Sequence, residues 1–91
     1  MGMGRMGGPA GMGQMGTDLS ALQNATNFDQ TFIQQMIPHH QMAVMMSSMA
    51  LANSRRPKIR KLAQSIIDSQ NAEIAQMQRW YQVWYQSSPT P

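Results

Sequence analysis

The sequence predicts an all-α protein built as a long antiparallel helical hairpin. Residues 27–53 and 57–86 are rich in Met, Ala, Gln, Ile and Leu, most of which are good helix formers. Only a few residues separate the two segments, and two long helices joined by such a short loop form an αα-hairpin. Because two helices cannot cover both of their apolar faces, we expect a four-helix bundle completed by a homodimer.

Local signals set the limits of the predicted helices. Asn27 precedes the first long helix, and Asp29 lies in its first turn, where the helix dipole favours a negative charge. Asn53 and Ser54 end this helix, and Pro57 fits the first turn of the next one. A short helix with Thr17 as its N-cap is expected before them. These elements form a predicted helical domain at residues 17–87.

Apolar residues recur at helical spacing in both long segments. The predicted apolar face of the first long helix consists of Phe28, Phe32, Met36, His39, Ala43, Met46 and Ala50. That of the second consists of Ile59, Leu62, Ala63, Ile66, Ile74, Met77, Tyr81 and Trp84.

Gln70 and Glu73 interrupt the second apolar face. A carboxylate in a core is costly unless a partner pairs with it, and His39 and His40 are the candidate partners. Two explanations remain open at this point. One is a hydrogen-bonded network that fixes the register of the bundle. The other is a metal site, in which Glu73 is a ligand or orients an imidazole.

Methionine and histidine supply the candidate metal ligands. Met36 and His40 stack on one helical face, and Met77 lies where the partner helix meets them. The adjoining face carries a second set, formed by His39, Met42, Met45, Met46 and Met49. Helical Met is often core filler, but this density exceeds one core stripe, so some of these side chains are expected to face solvent. Thioether and imidazole favour Cu(I), with Cu(II) and Ag(I) as alternatives.

Residues 1–16 contain all seven glycines and five of the eleven methionines. They show no apolar periodicity, so we predict a flexible tail. A low-complexity linker is one interpretation of this tail, and a metal-capturing segment is the other. The candidate ligands in it are Met3, Met6, Met12 and Met15.

The composition excludes several classes of protein. With no cysteine, disulfides and thiolate zinc sites are impossible. Four acidic residues are too few for a di-iron, calcium or magnesium centre, and no nucleophile–base arrangement is visible, so we predict no enzyme. No segment has the length of a membrane span. The basic run at 55–61 is interpreted as a solvated helix start, with contact to nucleic acid or an anionic membrane as the alternative, and no nucleic-acid partner is predicted.

Two elements in order, M-I-P-H-H at 36–40 and Q-x-x-E-I-x-x-M at 70–77, resemble the DUF305 family over about residues 27–85. The resemblance implies copper capture in the periplasm or outside the cell, for sequestration, trafficking or resistance, without catalysis. It also implies a ferritin-like four-helix fold, which a second hairpin completes in longer members. A copper-trafficking partner protein is a further expectation, and an exported protein would have this sequence as its mature form. The positions that match the family motif are Met36, His39, His40, Met46, Glu73 and Met77. Met42 departs from it, because many members have glycine there.

A function of another class also fits the sequence. In this alternative the protein is a helical protein-interaction module, with a Met-rich binding face and a basic loop. It predicts salt-sensitive association with a polyanion and no effect of metal on the melting temperature.

Overall fold

A computed structural model describes residues 17–89, and in that range it contains three helices and no strand. They are α1 (Leu19–Gln23), α2 (Phe28–Asn53) and α3 (Pro57–Tyr85). Contacts between residues 30 and 81 near one end and between residues 40 and 73 further along show that α2 and α3 run antiparallel. The prediction of an all-α fold with a long hairpin is confirmed. The proposed tail, residues 1–16, lies outside the described residues.

The N-cap of α1 is Asp18 and not Thr17, so the expected cap was one residue too early. The Asp18 carboxylate accepts a hydrogen bond from the Ala21 amide at 2.9 Å, and a carboxylate at this position also favours the helix dipole. Gln35 then fixes α1 against α2. Its Oε1 accepts from the Asp18 amide at 2.7 Å, and its Nε2 donates to the Asp18 carbonyl at 2.9 Å.

The ends of the long helices follow the local signals. The Asn27 side chain caps α2 by accepting from the Gln30 amide at 3.1 Å, and α2 continues through Pro38 to Asn53. Pro57 begins α3. Across the turn, the Arg60 guanidinium donates to the carbonyls of Leu51 and Ser54, which lack amide partners at the end of α2.

The buried face of α2 differs from the predicted one. Ile33, Ile37 and His40 are buried, whereas Phe28, Phe32, His39 and Met46 are exposed. The α2 sequence carries apolar side chains around most of its circumference, so spacing alone allows more than one stripe. The stripe that packs on α3 contains the compact Ile side chains, and the larger Phe rings lie at its edge.

The α3 face was predicted more accurately. Ala63, Ile74, Met77 and Tyr81 are buried as expected. Three other members of the predicted face, Ile59, Leu62 and Trp84, are exposed. They lie towards the two ends of α3, where a single facing helix does not cover them.

The Tyr81 hydroxyl connects the two long helices and yields a stability prediction. It accepts from Gln34 Nε2 at 2.6 Å and from Gln30 Nε2 at 3.0 Å, and Tyr81 is only 2% exposed. Tyr81→Phe should therefore lower the free energy of unfolding by about 1 kcal/mol or slightly more. Urea unfolding followed by circular dichroism measures this. Tyr85→Phe is the control, because its hydroxyl makes a single exposed contact at 3.4 Å, and an equal loss there would contradict the assignment.

Candidate metal site

The N-terminal half of α2 and the C-terminal half of α3 line a pocket of about 540 Å³ that is open to solvent. Its walls combine soft, acidic and aromatic side chains. The residues able to offer a donor atom are Asp29, Met36, His40, Glu73, Gln76 and Met77. The pocket therefore brings together one of the two histidines and two of the methionines that the sequence singled out.

His40 is the buried polar group of this pocket. It is only 7% exposed, and its Nε2 lies 2.6 Å from Oε1 of Glu73. An ionised carboxylate can only accept a hydrogen bond, so in the neutral imidazole Nε2 donates to Glu73 and Nδ1 is left as the acceptor. Nδ1 is buried, and no group among residues 17–89 forms a hydrogen bond with it. A buried acceptor without a partner destabilises the fold by about 1–3 kcal/mol, a cost that a bound ligand would remove.

Two thioethers line the same pocket. Met36 lies one helical turn before His40 on α2, and Met77 lies one turn after Glu73 on α3. Met77 is 7% exposed, and Met36 is half-buried against the core. The predicted pair Met36 and His40 on α2 therefore lies across the pocket from the predicted pair Glu73 and Met77 on α3.

Glu73 is the exposed member of the pair that it forms with His40. Its side chain is 55% exposed, against 9% for the imidazole. The carboxylate therefore keeps much of its hydration while it holds the ring in place. The sequence had predicted that Glu73 interrupts a buried apolar face. The Glu73 carboxylate instead lies at the edge of the interface between α2 and α3.

The second predicted set lies outside the pocket. Met45, Met46 and Met49 are 57%, 62% and 60% exposed. The high density of methionines had predicted that some of this set face solvent. Met42 is half-buried and His39 is exposed. The ring of His39 is tilted by 56° from that of His40, with the centroids 6.4 Å apart. The tail candidates Met3, Met6, Met12 and Met15 lie outside the described residues.

Sequence reasoning missed several residues of the pocket. Asp29 was assigned only to the helix dipole, and Gln76 to no role, yet both line the pocket. Trp80 stacks on Trp84, with centroids 5.6 Å apart and an interplanar angle of 8°. The signal was present in the spacing, because Asp29 precedes Met36 by two turns and Trp80 follows Glu73 by two turns.

The donor set combines two soft thioethers with one imidazole and several oxygen atoms. Among residues 17–89, no three His, Asp or Glu side chains come together as a metal site. His40 and Glu73 are instead accompanied by the thioethers of Met36 and Met77. In the same part of the chain, none of the helices combines the length and apolarity needed to cross a membrane.

The sequence model of DUF305, described as a domain of unknown function, matches residues 1–81. The chain belongs to the DUF305 family. The resemblance carried by the two sequence elements is thereby confirmed. The family description names no function. The solved structures that are similar to this chain do bear on its function.

Those structures are of CopM. The apo form is 61% identical over 76% of this chain and 51% of CopM, with a TM-score of 0.74. The Cu(II)-bound form is 59% identical over 88% of this chain and 54% of CopM, with a TM-score of 0.80. CopM has also been solved with Cu(I) and with silver. This chain spans about half the length of CopM.

A viral protein is also similar. An uncharacterized protein of Acanthamoeba polyphaga mimivirus, L153, is 43% identical over 49 residues, which are 54% of this chain and 32% of the viral protein. The match covers about a third of that protein and gives no function.

Proposed function

We propose that this protein binds copper, preferentially as Cu(I), and sequesters or transfers it in the periplasm or outside the cell without catalysis. Cu(II) and Ag(I) are further ligands. The observation that carries the proposal is the buried Nδ1 of His40, which has no partner among the described residues. His40 itself lines a pocket together with two thioethers. The 59–61% identity to CopM, solved with these ions, supports it.

Each donor of the pocket has a distinct role in this proposal. Nδ1 of His40 and the sulfur atoms of Met36 and Met77 are the ligands, a set that favours Cu(I). Glu73 holds the opposite nitrogen of the imidazole, which fixes the tautomer and makes Nδ1 a better donor. Because both thioethers are neutral, the Glu73 carboxylate also offsets the charge of the ion.

The second predicted set, outside the pocket, provides weaker copper sites. His39, the half-buried Met42 and the exposed Met45, Met46 and Met49 would take up further copper, because exposed thioethers exchange ligands readily with solvent. Met3, Met6, Met12 and Met15, which precede the proposed helical domain at 17–87, would bind copper in the same way. A copper donor or acceptor protein would meet the chain at these sites.

A second hairpin completes the bundle in this proposal. Phe28 and Trp84 are more than half exposed beside the pocket, and a second copy or a further hairpin would cover such surfaces. Sedimentation equilibrium measures the mass directly. A monomer at all concentrations would exclude the homodimer.

Removal of the two pocket thioethers tests the proposal. Met36→Leu with Met77→Leu preserves side-chain volume, so each change should cost less than about 1.5 kcal/mol of stability. Cu(I) affinity should fall by about tenfold or more, since loss of a ligand exceeds the loss of a supporting contact. Competition with a Cu(I)-specific chelator measures the affinity, and X-ray absorption should show fewer sulfur scatterers in the variant.

The control is Met45→Leu, which alters an exposed methionine outside the pocket and should leave the tight site intact. If bound Cu(I) in the unaltered protein shows only nitrogen and oxygen scatterers, the methionine assignment is wrong.

A metal-independent interaction module is the competing function. The exposure of Met45, Met46 and Met49 favours it, because flexible thioethers form adaptable protein-binding surfaces. It predicts that saturating Cu(I) leaves the melting temperature unchanged. Binding to the pocket instead raises the melting temperature with ligand concentration.

A further inference from the structure

Positive charge is concentrated where α2 turns into α3. Five of the seven Lys and Arg residues lie between positions 55 and 61, and no acidic residue occurs from position 30 to position 67. We call this cluster the basic turn, and all its members are exposed. It consists of Arg55, Arg56, Lys58, Arg60 and Lys61.

Among residues 17–89, only one member of the basic turn forms side-chain hydrogen bonds. Arg60 donates to the carbonyls at the end of α2. In residues 17–89, His40 and Glu73 form the only close pair of oppositely ionisable side chains. No described carboxylate therefore neutralises the charge of the other four members, Arg55, Arg56, Lys58 and Lys61. These four side chains are available to an anionic partner.

Apolar side chains share the exposed surface of the basic turn. Ile59 is 41% exposed and Leu62 is 56% exposed. At 100° per residue, they and the two lysines follow each other around one exposed arc of about 160°. The order around this arc is Lys61, Lys58, Leu62 and Ile59. Arg60 projects outside it, in agreement with its contact to α2.

We propose that the basic turn and this arc dock on the surface of an anionic lipid bilayer. Lys and Arg would bind the headgroup phosphates, and Ile59 and Leu62 would enter the boundary between headgroups and acyl chains. The apolar residues favour a bilayer over a nucleic acid, because charged and polar groups make the contacts to phosphodiesters and aliphatic side chains do not. The turn lies at the opposite end of the hairpin from the pocket, so the metal site would remain accessible.

Vesicle flotation tests the proposal on the full chain without metal. Binding is compared between vesicles of phosphatidylcholine and vesicles of equal parts phosphatidylcholine and phosphatidylglycerol, at about 0.1 M salt to limit long-range attraction. The test variant combines Arg55→Gln, Arg56→Gln, Lys58→Gln and Lys61→Gln. Its partition coefficient on the anionic vesicles should fall at least about tenfold. Arg79→Gln is the control, because Arg79 is the described cation outside the basic turn, and it should bind as the unaltered chain does.

A second pair of variants separates a bilayer from other polyanions. Leu62→Ser should weaken vesicle binding several-fold, whereas Val83→Ser, at a 71% exposed position far from the turn, should not. Three results would overturn the proposal. They are no binding to anionic vesicles, equal binding to both vesicle types, and unchanged binding of the four-charge variant. Binding to a short oligonucleotide that is tighter than to vesicles, with no effect of Leu62→Ser, would assign the turn to nucleic acid instead.

Discussion

Ile37→Ala should be one of the most destabilising truncations in the core. Ile37 is fully buried, at 0% exposure, and it packs among the few side chains that join α2 to α3. Truncation of a buried Ile to Ala costs about 2–5 kcal/mol, because apolar contacts are lost and a cavity remains. For a domain of this size such a loss lowers the melting temperature by about 10 °C or more.

The small core explains why this effect is expected to be severe. The core cluster contains only five buried residues, Ile33, Ile37, Ile74, Met77 and Tyr81, and small domains have little stability to lose. Thermal unfolding followed by circular dichroism measures the change. Val83→Ala is the control, because Val83 is 71% exposed on α3 and should change the stability by less than about 0.5 kcal/mol. A similar shift in both variants would mean that the core is not where the fold places it.

The helices and their order could be predicted because their signals are local. The Asn27 cap, the Ser54 break and Pro57 at the start of α3 each act within one turn of chain. The cap of α1 was misplaced by one residue, since Thr17 and Asp18 are both good N-caps. Only the hydrogen bond from the Ala21 amide shows that Asp18 is used.

The faces were harder to predict because they depend on packing between helices. On α2 the spacing predicted a buried stripe that begins with Phe28 and Phe32, whereas contact with α3 buries Ile33 and Ile37 instead. The same contact also buries His40 and leaves its neighbour His39 exposed. Spacing had placed His39 on the predicted apolar face, so the exposure of His39 and the burial of His40 were not foreseen.

The pocket was foreseen in part. Met36 with His40 and Glu73 with Met77 are one-turn pairs that a helical count identifies, and the antiparallel hairpin places them at one pocket. Asp29 and Trp80 were not foreseen, although each lies two turns from a predicted pocket residue, because Asp29 was assigned only to the helix dipole and Trp80 to no site. The unpartnered Nδ1 of His40 depends on atomic positions, and no sequence pattern encodes it.

His40→Ala should abolish the tightest copper site. It removes the one buried imidazole of the pocket, so the affinity for Cu(I) should fall by at least about 100-fold, beyond the range seen for supporting contacts. Glu73→Gln keeps an acceptor for Nε2 but removes the negative charge, and its loss should be smaller, about 10- to 100-fold. Competition with a Cu(I)-specific chelator measures both, and the melting temperature of the metal-free variants shows whether each one folds.

His39→Ala is the matched comparison, because it removes the adjacent imidazole, which is exposed and outside the pocket. It should leave the tightest site intact and reduce only the weaker binding on the methionine surface. Equal losses in the two histidine variants would mean that one ion lies between the rings, whose centroids are 6.4 Å apart, and that the two donor sets form one site. Unchanged tight binding in His40→Ala would place the site outside the pocket. The two single variants therefore decide whether the burial of one histidine, and not the pairing of two, creates the site.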